Sequence, residues 1–333
     1  MVPLVQVRDL HVTFASERGD IHAVNGVDFD LWPKETLCIL GESGSGKSVT
    51  LRSLMRLHPP KRTTISGEIN VDGVDVVTTT EKAMSLVRGR LVSMIFQEPM
   101  TALDPVFTIG RQIEETIIRH EGVSHKTAYA RALELLELVQ IPNAKQRLNA
   151  YPHEMSGGLR QRAMIAVALA AKPKLLLADE PTTALDATVQ IQVLLLLKRL
   201  QAELGMGIIF VTHDLGVAGE IADRIAVMYA GKFIEEGSSD DVLRRPQHPY
   251  VEGLLGATVT GASRGKRLVS IPGSPPNLRT LSQDCAFAPR CSYVMPACRS
   301  GVPGLVQSED GRAVRCIRPA STRERLVATG AAS

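Results

Sequence analysis

Apolar and polar positions alternate through the first strand-like stretch, "MVPLVQVRDLHVTF", a period of two that predicts a β-strand with one buried face. Four later stretches are apolar without alternation: "TLCIL" before Gly41, "LVSMIF" before Gln97, "LLLA" before Asp179 and "GIIFVT" before His213. Short unbroken runs of this kind fit strands buried on both faces of a parallel sheet. Helical periodicity follows the first of them, in "GKSVTLRSLMRL". It returns between Gln97 and Ser156, where Leu133, Leu136 and Leu138 interleave with Glu and Arg as in amphipathic helices. Strands alternating with helices predict an α/β fold. No apolar run approaches the roughly eighteen residues of a membrane-spanning helix.

Composition changes this picture little and charge somewhat more. The 333 residues are 44% hydrophobic, enough for one large α/β domain and a smaller appendage. The net charge of +3 is unevenly spread: residues 258–333 carry +7 and the remainder −4. A basic tail suits nucleic acid, an anionic membrane face or a solvated terminus alike. The first residues lack an apolar export signal with a cleavage site, so a reducing cytosol is expected, where clustered cysteines serve as ligands more often than as bridges.

The chemistry-bearing motifs sit at the ends of the apolar runs. Gly41, Gly46, Lys47 and Ser48 in "GESGSGKS" match a phosphate-binding P-loop between strand and helix. Glycines there let backbone amides curl around phosphate oxygens, Lys47 reaches the β/γ-phosphates, and the Ser48 hydroxyl suits Mg²⁺. Asp179 and Glu180 end a strand at the carboxyl side, where Asp179 can hold Mg²⁺ through water and Glu180 can polarise the attacking water. Ser156, Gly157 and Gly158 precede a long helix and form a second candidate anion site. Gln97 is placed to carry an amide to Mg²⁺ and the attacking water, and His213 to donate to the γ-phosphate.

In this order the pieces resemble the ATP-binding subunit of ABC transporters over about residues 4–257. The matching elements are the Walker A loop Gly41–Ser48, which includes Ser43, Gly44 and Ser45, then Gln97, the signature "MSGGL", Walker B at Asp179 and Glu180, "TALD" with Asp186, and His213. The resemblance implies a P-loop NTPase core with an inserted helical subdomain, about residues 100–160, that receives a cytoplasmic helix of a membrane subunit; periodicity alone equally fits helices that merely cover the core. It also implies that Phe14 stacks on adenine, and that the P-loop of one subunit and the Ser-Gly-Gly segment of another sandwich one ATP. Leu159 stands where the family more often has Gln, a change expected to affect packing only.

The remainder, residues 258–333, forms a C-terminal extension. His248-Pro249-Tyr250, Pro272-Gly273 and Pro275-Pro276 are similar to landmarks of ATPases in the dipeptide, oligopeptide and nickel importer group. An importer ATPase for peptides is therefore expected, at the cytosolic face of a bacterial membrane. Its implied partners are a related second ATPase, two membrane permease subunits and an extracytoplasmic solute-binding protein, with no nucleic acid. An importer for nickel or another solute is the nearer alternative, and a soluble ABC ATPase the more distant one.

Cys285, Cys291, Cys298 and Cys316 are separated by five, six and seventeen residues, which fits neither common zinc sites nor the usual ferredoxin pattern, so spacing leaves metal ligands and free thiols both open. A basic, Pro- and Gly-rich segment short of core material would gain from a metal staple. The resemblance implies a [4Fe–4S] cluster, with Arg290, Arg299 and Arg315 near enough in sequence to offset thiolate charge. Cys38 is expected to be a core residue.

Overall fold

The computed structural model describes residues 2–183, 185–257, 270–280, 283–308 and 311–319. Its twelve strands are β1 (Val5–Phe14), β2 (Ile21–Leu31), β3 (Thr36–Leu40), β4 (Thr63–Val71), β5 (Val74–Asp75), β6 (Val92–Ile95), β7 (Leu175–Asp179), β8 (Gly207–Thr212), β9 (Arg224–Tyr229), β10 (Lys232–Ser238), β11 (Val306–Gln307) and β12 (Ala313–Val314) among the described residues. They form a four-stranded sheet, β2-β1-β4-β5, and an eight-stranded sheet, β11-β12-β10-β9-β3-β8-β7-β6. The first is antiparallel throughout. In the second, β6, β7, β8, β3 and β9 run parallel, and β10, β12 and β11 extend it antiparallel.

The unbroken apolar runs are explained by what covers the central sheet. Side chains alternate across a strand, so residues i and i+2 share a face. Leu37, Ile39, Leu175, Leu177, Ile209 and Val211 pack toward the four-stranded sheet. Cys38, Leu40, Leu176, Ala178, Ile208 and Phe210 face the helices. Both sets are buried, which leaves no polar phase in the pattern. Cys38 is wholly buried, as expected, and burial pushes its thiol pKa up.

The helices are α1 (Lys47–Ser53), α2 (Glu81–Arg90), α3 (Pro99–Ala102), α4 (Ile109–Glu121), α5 (His125–Leu138), α6 (Ala144–Arg147), α7 (Gly157–Leu169), α8 (Ala187–Leu204), α9 (Leu215–Ile221), α10 (Ser239–Arg244) and α11 (Pro249–Gly256). The expected helical insertion is present as α3 to α6 and the start of α7. Thr108 and Ser124 cap α4 and α5 with their hydroxyls, and Gly122 ends α4 in the left-handed conformation. Ile109, Ile113 and Ile117 bury one face of α4 against Ala128, Ala132 and Leu136 of α5. No helix among the described residues is long and apolar enough to cross a membrane.

The extension corrects an expectation drawn from its composition. It borrows a core from the main domain: β12 pairs with β10 at Glu235↔Val314 and Glu236↔Ala313, continuing the large sheet. Phe287 is 4% exposed, and its ring lies 5.4 Å from Tyr229, 5.5 Å from Tyr250 and 5.8 Å from His248. Aromatic contacts of this kind anchor a loop-rich segment without a metal.

Candidate functional site

The P-loop runs from the carboxyl end of β3 into α1, and its glycines are fixed by close approach. A Cβ on Gly41 would lie 2.3 Å from the Met228 carbonyl oxygen, and one on Gly46 2.5 Å from that of Ala23. Gly46 also has φ 110°, the left-handed region that favours glycine. Lys47 is almost wholly buried, and its Nζ donates to the carbonyls of Gly41 (2.8 Å) and Glu42 (2.9 Å). Burial lowers its pKa, against the opposing pull of Glu180 and Asp179. The ammonium is thus held in the loop with nearby charge for company.

Ser48 Oγ donates to Asp179 Oδ1 at 2.6 Å, and the Arg52 guanidinium pairs with the other carboxylate oxygen at 3.1 Å. Asp179 is fully buried at the end of β7. One residue on, Glu180 adopts φ 46° and its amide donates to the Val211 carbonyl. This backbone carries its carboxylate toward three groups: His213 Nδ1 at 3.1 Å, Thr183 Oγ1 at 3.1 Å, and Gln97 Nε2 at 3.5 Å. Left-handed backbone at a non-glycine residue is uncommon and tends to occur where a functional geometry is enforced.

The P-loop, Gln97, Glu180, Thr183 and His213 surround a cavity of about 780 Å³, whereas the buried Asp179 is not part of its lining. The structure brings Phe14, Gly41, Ser43, Gly44, Gly46, Lys47, Ser48, Gln97, Glu180 and His213 together on its wall. Ser45 does not line it. Its side chain is buried, and its carbonyl accepts from the Gly231 amide, which makes it a support of the loop. Phe14 lines the cavity and lies edge-on to His58 with ring centroids 5.3 Å apart. Ser48, Asp179 and Gln97 offer hydroxyl, carboxylate and amide oxygens, the hard donors that suit Mg²⁺.

Ser156, Gly157, Gly158 and Asp186 lie outside this cavity. Ser156 caps α7, accepting from the Leu159 amide, and Asp186 caps α8, accepting from the Val189 amide. A Cβ on Gly158 would meet Val189 Cγ1 at 2.7 Å, so this glycine serves the packing of α7 on α8. Around Gly157 nothing lies nearer than Leu185 Cδ2 at 4.0 Å.

Three supporting residues gave no motif signal. Arg52 and Thr183 hold the two carboxylates, and Glu42 ties the P-loop to the extension. Arg290 donates to both carboxylate oxygens of Glu42 (2.8 and 3.0 Å) and to the Tyr229 hydroxyl; the pair with Glu42 raises the Arg290 pKa. The Glu42 amide in turn donates to the Tyr250 hydroxyl at 3.0 Å. The His-Pro-Tyr landmark thus reaches the P-loop physically: His248 caps α11 and its amide donates to Glu235.

Cys285, Cys291, Cys298 and Cys316 do line one small cavity, with His248 and Arg318. Among the described residues, however, no group of three or more His, Cys, Asp or Glu side chains is placed to hold a metal ion. Burial raises the Cys285 pKa, and the Cys291 and Cys316 sulfurs accept from the backbone amides of Tyr293 and Arg318. Two of the three arginines near the thiols in sequence bond elsewhere: Arg290 as above, and Arg315 with the carbonyls of Phe233 and Pro303.

Comparison with known proteins agrees with this geometry. Residues 24–183 match the ABC transporter family, and residues 234–298 match the oligopeptide/dipeptide transporter C-terminal region. The chain is 48% identical to a putative peptide import ATP-binding protein of Brucella melitensis, covering 95% of this chain and 97% of that protein. It is 51% identical to the oligopeptide transport ATP-binding protein OppD of Bacillus subtilis, covering 88% and 82%. Among solved structures, the dimeric post-hydrolysis state of the ATP-binding cassette MJ0796 bound to ADP and Pi superposes with a TM-score of 0.64 at 30% identity, covering 71% of this chain and 98% of that one. CbiO1 of Clostridium perfringens, part of an ABC transporter complex, gives 0.64 at 25% identity, covering 74% and 92%.

Proposed function

The chain belongs to the ATP-binding subunits of peptide-importing ABC transporters, and from that membership we propose that it hydrolyses ATP to power a binding-protein-dependent importer of di- or oligopeptides. The observation that carries this reading is the single cavity shared by the P-loop, Gln97, Glu180 and His213. Lys47 and the loop backbone bind the β- and γ-phosphates. Ser48, Gln97 and Asp179 would hold Mg²⁺, which would supply neutralisation of the phosphate charge. Glu180 polarises the attacking water, and His213, hydrogen-bonded to it, orients the carboxylate and reaches the γ-phosphate. Phe14 contacts the base.

Ser156, Gly157, Gly158 and Asp186 have no place in this chain's cavity, which supports a site completed by a second ATPase, each chain lending its signature to the other's nucleotide. Closure over two ATPs and reopening after hydrolysis would then drive the cycle. The helical insertion is the surface for a permease helix: Met100, Val106 and Phe107 are exposed apolar side chains near its start. Two permease subunits and an extracytoplasmic solute-binding protein complete the assembly, and the chain works at the cytosolic face of the membrane. Peptides are favoured over nickel by the relatives' names. Affinity purification from membranes, followed by peptide uptake in reconstituted vesicles, tests the whole reading. Recovery with permeases and ATP-dependent peptide uptake is expected, and recovery only as a soluble species or with nucleic acid overturns it.

For the C-terminal cysteines we propose second, on the strength of their shared cavity, that they hold a structural [4Fe–4S] cluster. Anaerobically purified protein would then contain about four iron atoms per chain. Stoichiometric zinc, or four freely alkylated thiols without metal, sinks the cluster.

A further inference from the structure

We propose that the C-terminal extension forms part of the nucleotide site: Leu278 completes the wall at the nucleobase end, and Arg279 is the positioning residue that holds it there. The inference rests on the nucleotide reading of the cavity. Beside the P-loop, Phe14, Ile21, Ala23, Leu254 and Leu278 give the same cavity an apolar part of its wall. Four of these belong to the main domain, and Leu278 comes from the extension.

Its position is fixed by bonds to the β1–β2 hairpin, the element that carries Phe14. The Leu278 carbonyl accepts from the His22 amide at 2.9 Å, next to Ile21, which pairs with Phe14 across the hairpin. The Arg279 guanidinium donates to Ser16 Oγ (3.0 Å) and to the Gly19 carbonyl (2.6 Å), gripping the turn between the two strands. On the other side, Asn277 closes a local turn, its Oδ1 accepting from the Arg279 amide and its carbonyl from the Thr280 amide. Pro275 and Pro276 stiffen the approach. Leu278 stays half-buried, with apolar surface left over for a ligand at the cavity.

An apolar wall recognises a flat base by burial and contact, without reading its polar edge. Leu278 should therefore strengthen binding of any purine nucleoside triphosphate and contribute nothing to a ligand lacking a base.

The test uses the full-length chain in the assembled transporter, with ATP, GTP and inorganic tripolyphosphate as ligands. Leu278→Ala is expected to raise KM for ATP and for GTP about fivefold with kcat held, as for lost apolar contact made equally in ground and transition states. Inhibition by tripolyphosphate should keep its parental affinity. Leu278→Met should recover most of the loss, and Arg279→Ala should show the same KM-against-kcat split. An unchanged KM in Leu278→Ala, while Lys47→Ala loses nucleotide binding, overturns the inference and leaves the nucleotide site standing. A fall in kcat or in tripolyphosphate affinity also overturns it, since the residue would then serve the fold. Intact ATP binding in Lys47→Ala overturns the nucleotide reading itself.

Discussion

Glu180 concentrates the chemistry at the scale of one residue. Its carboxylate is the meeting point of Gln97, Thr183 and His213, while Asp179 beside it is buried and paired with Ser48 and Arg52. Neighbouring carboxylates with such different surroundings fit the divided tasks proposed for them, one for the metal and one for the water. Glu180→Gln preserves shape and removes the base, so ATP binding should persist while hydrolysis by the assembled transporter falls about 10²- to 10⁴-fold. Parental turnover, measured with the second ATPase inactivated, would contradict the role. A second residue-scale case lies far from the nucleotide. Arg224 pairs with both Glu35 and Glu236, yet burial raises the pKa of each carboxyl above its ordinary value. A carboxyl with a raised folded-state pKa costs stability when ionised. That cost is absent below the unfolded-state pKa and grows as pH rises through the folded-state value. Glu236→Gln should therefore be more stable than the parent at neutral pH, and the advantage should vanish toward pH 4. Thermal melts across that range check the sign, and an advantage that grew with acidity would refute it.

Among the elements, α7 shows how two adjacent glycines divide labour. Gly158 lets α7 approach α8, because a Cβ there would press on Val189, whereas a Cβ on Gly157 would meet nothing nearer than Leu185 Cδ2 at 4.0 Å. Gly158→Ala is expected to cost about 1–3 kcal/mol by overpacking. Gly157→Asp adds an anion at a helix N-terminus and should be neutral or slightly stabilising. Chemical denaturation of the two variants separates them, and equal losses would show that Gly157 is also a packing residue. The sequence announces both glycines through one motif but cannot divide their roles, since Val189 enters only through the docking of α8. The same limit explains what was legible overall. β3, β7 and β8 were readable because burial on both faces writes itself into contiguous apolar runs, and the P-loop because its eight residues are adjacent. Arg290 meeting Glu42, and Leu278 meeting His22, were not readable. Those contacts depend on β12 joining β10 and on the hairpin clamp, which no local pattern encodes. The shortage of apolar residues in the extension suggested a segment without a firm core, because composition does not reveal that Tyr229 and Tyr250 lend it one.

For the whole molecule, the decisive fact is that the cavity holding the P-loop excludes the signature. On the two-chain site proposed above, a nucleotide bound at Lys47 would take its second phosphate-binding segment from another ATPase, and Ser156 and Gly157 would serve that partner's nucleotide. The prediction is asymmetric in a way that only a two-chain site produces. In the assembled transporter, Gly157→Asp in this chain places a negative charge against phosphates bound by the second ATPase and leaves this chain's own cavity untouched. Photolabelling with an ATP analogue, resolved by subunit, should show this chain labelled at the parental level and the second ATPase labelled weakly. Overall hydrolysis should fall by about tenfold or more, the order expected when a phosphate-stabilising contact is replaced by repulsion. Labelling lost from this chain but retained on the other would mean that the signature serves its own subunit. Unchanged labelling of both, with unchanged turnover, would remove the signature from the site altogether.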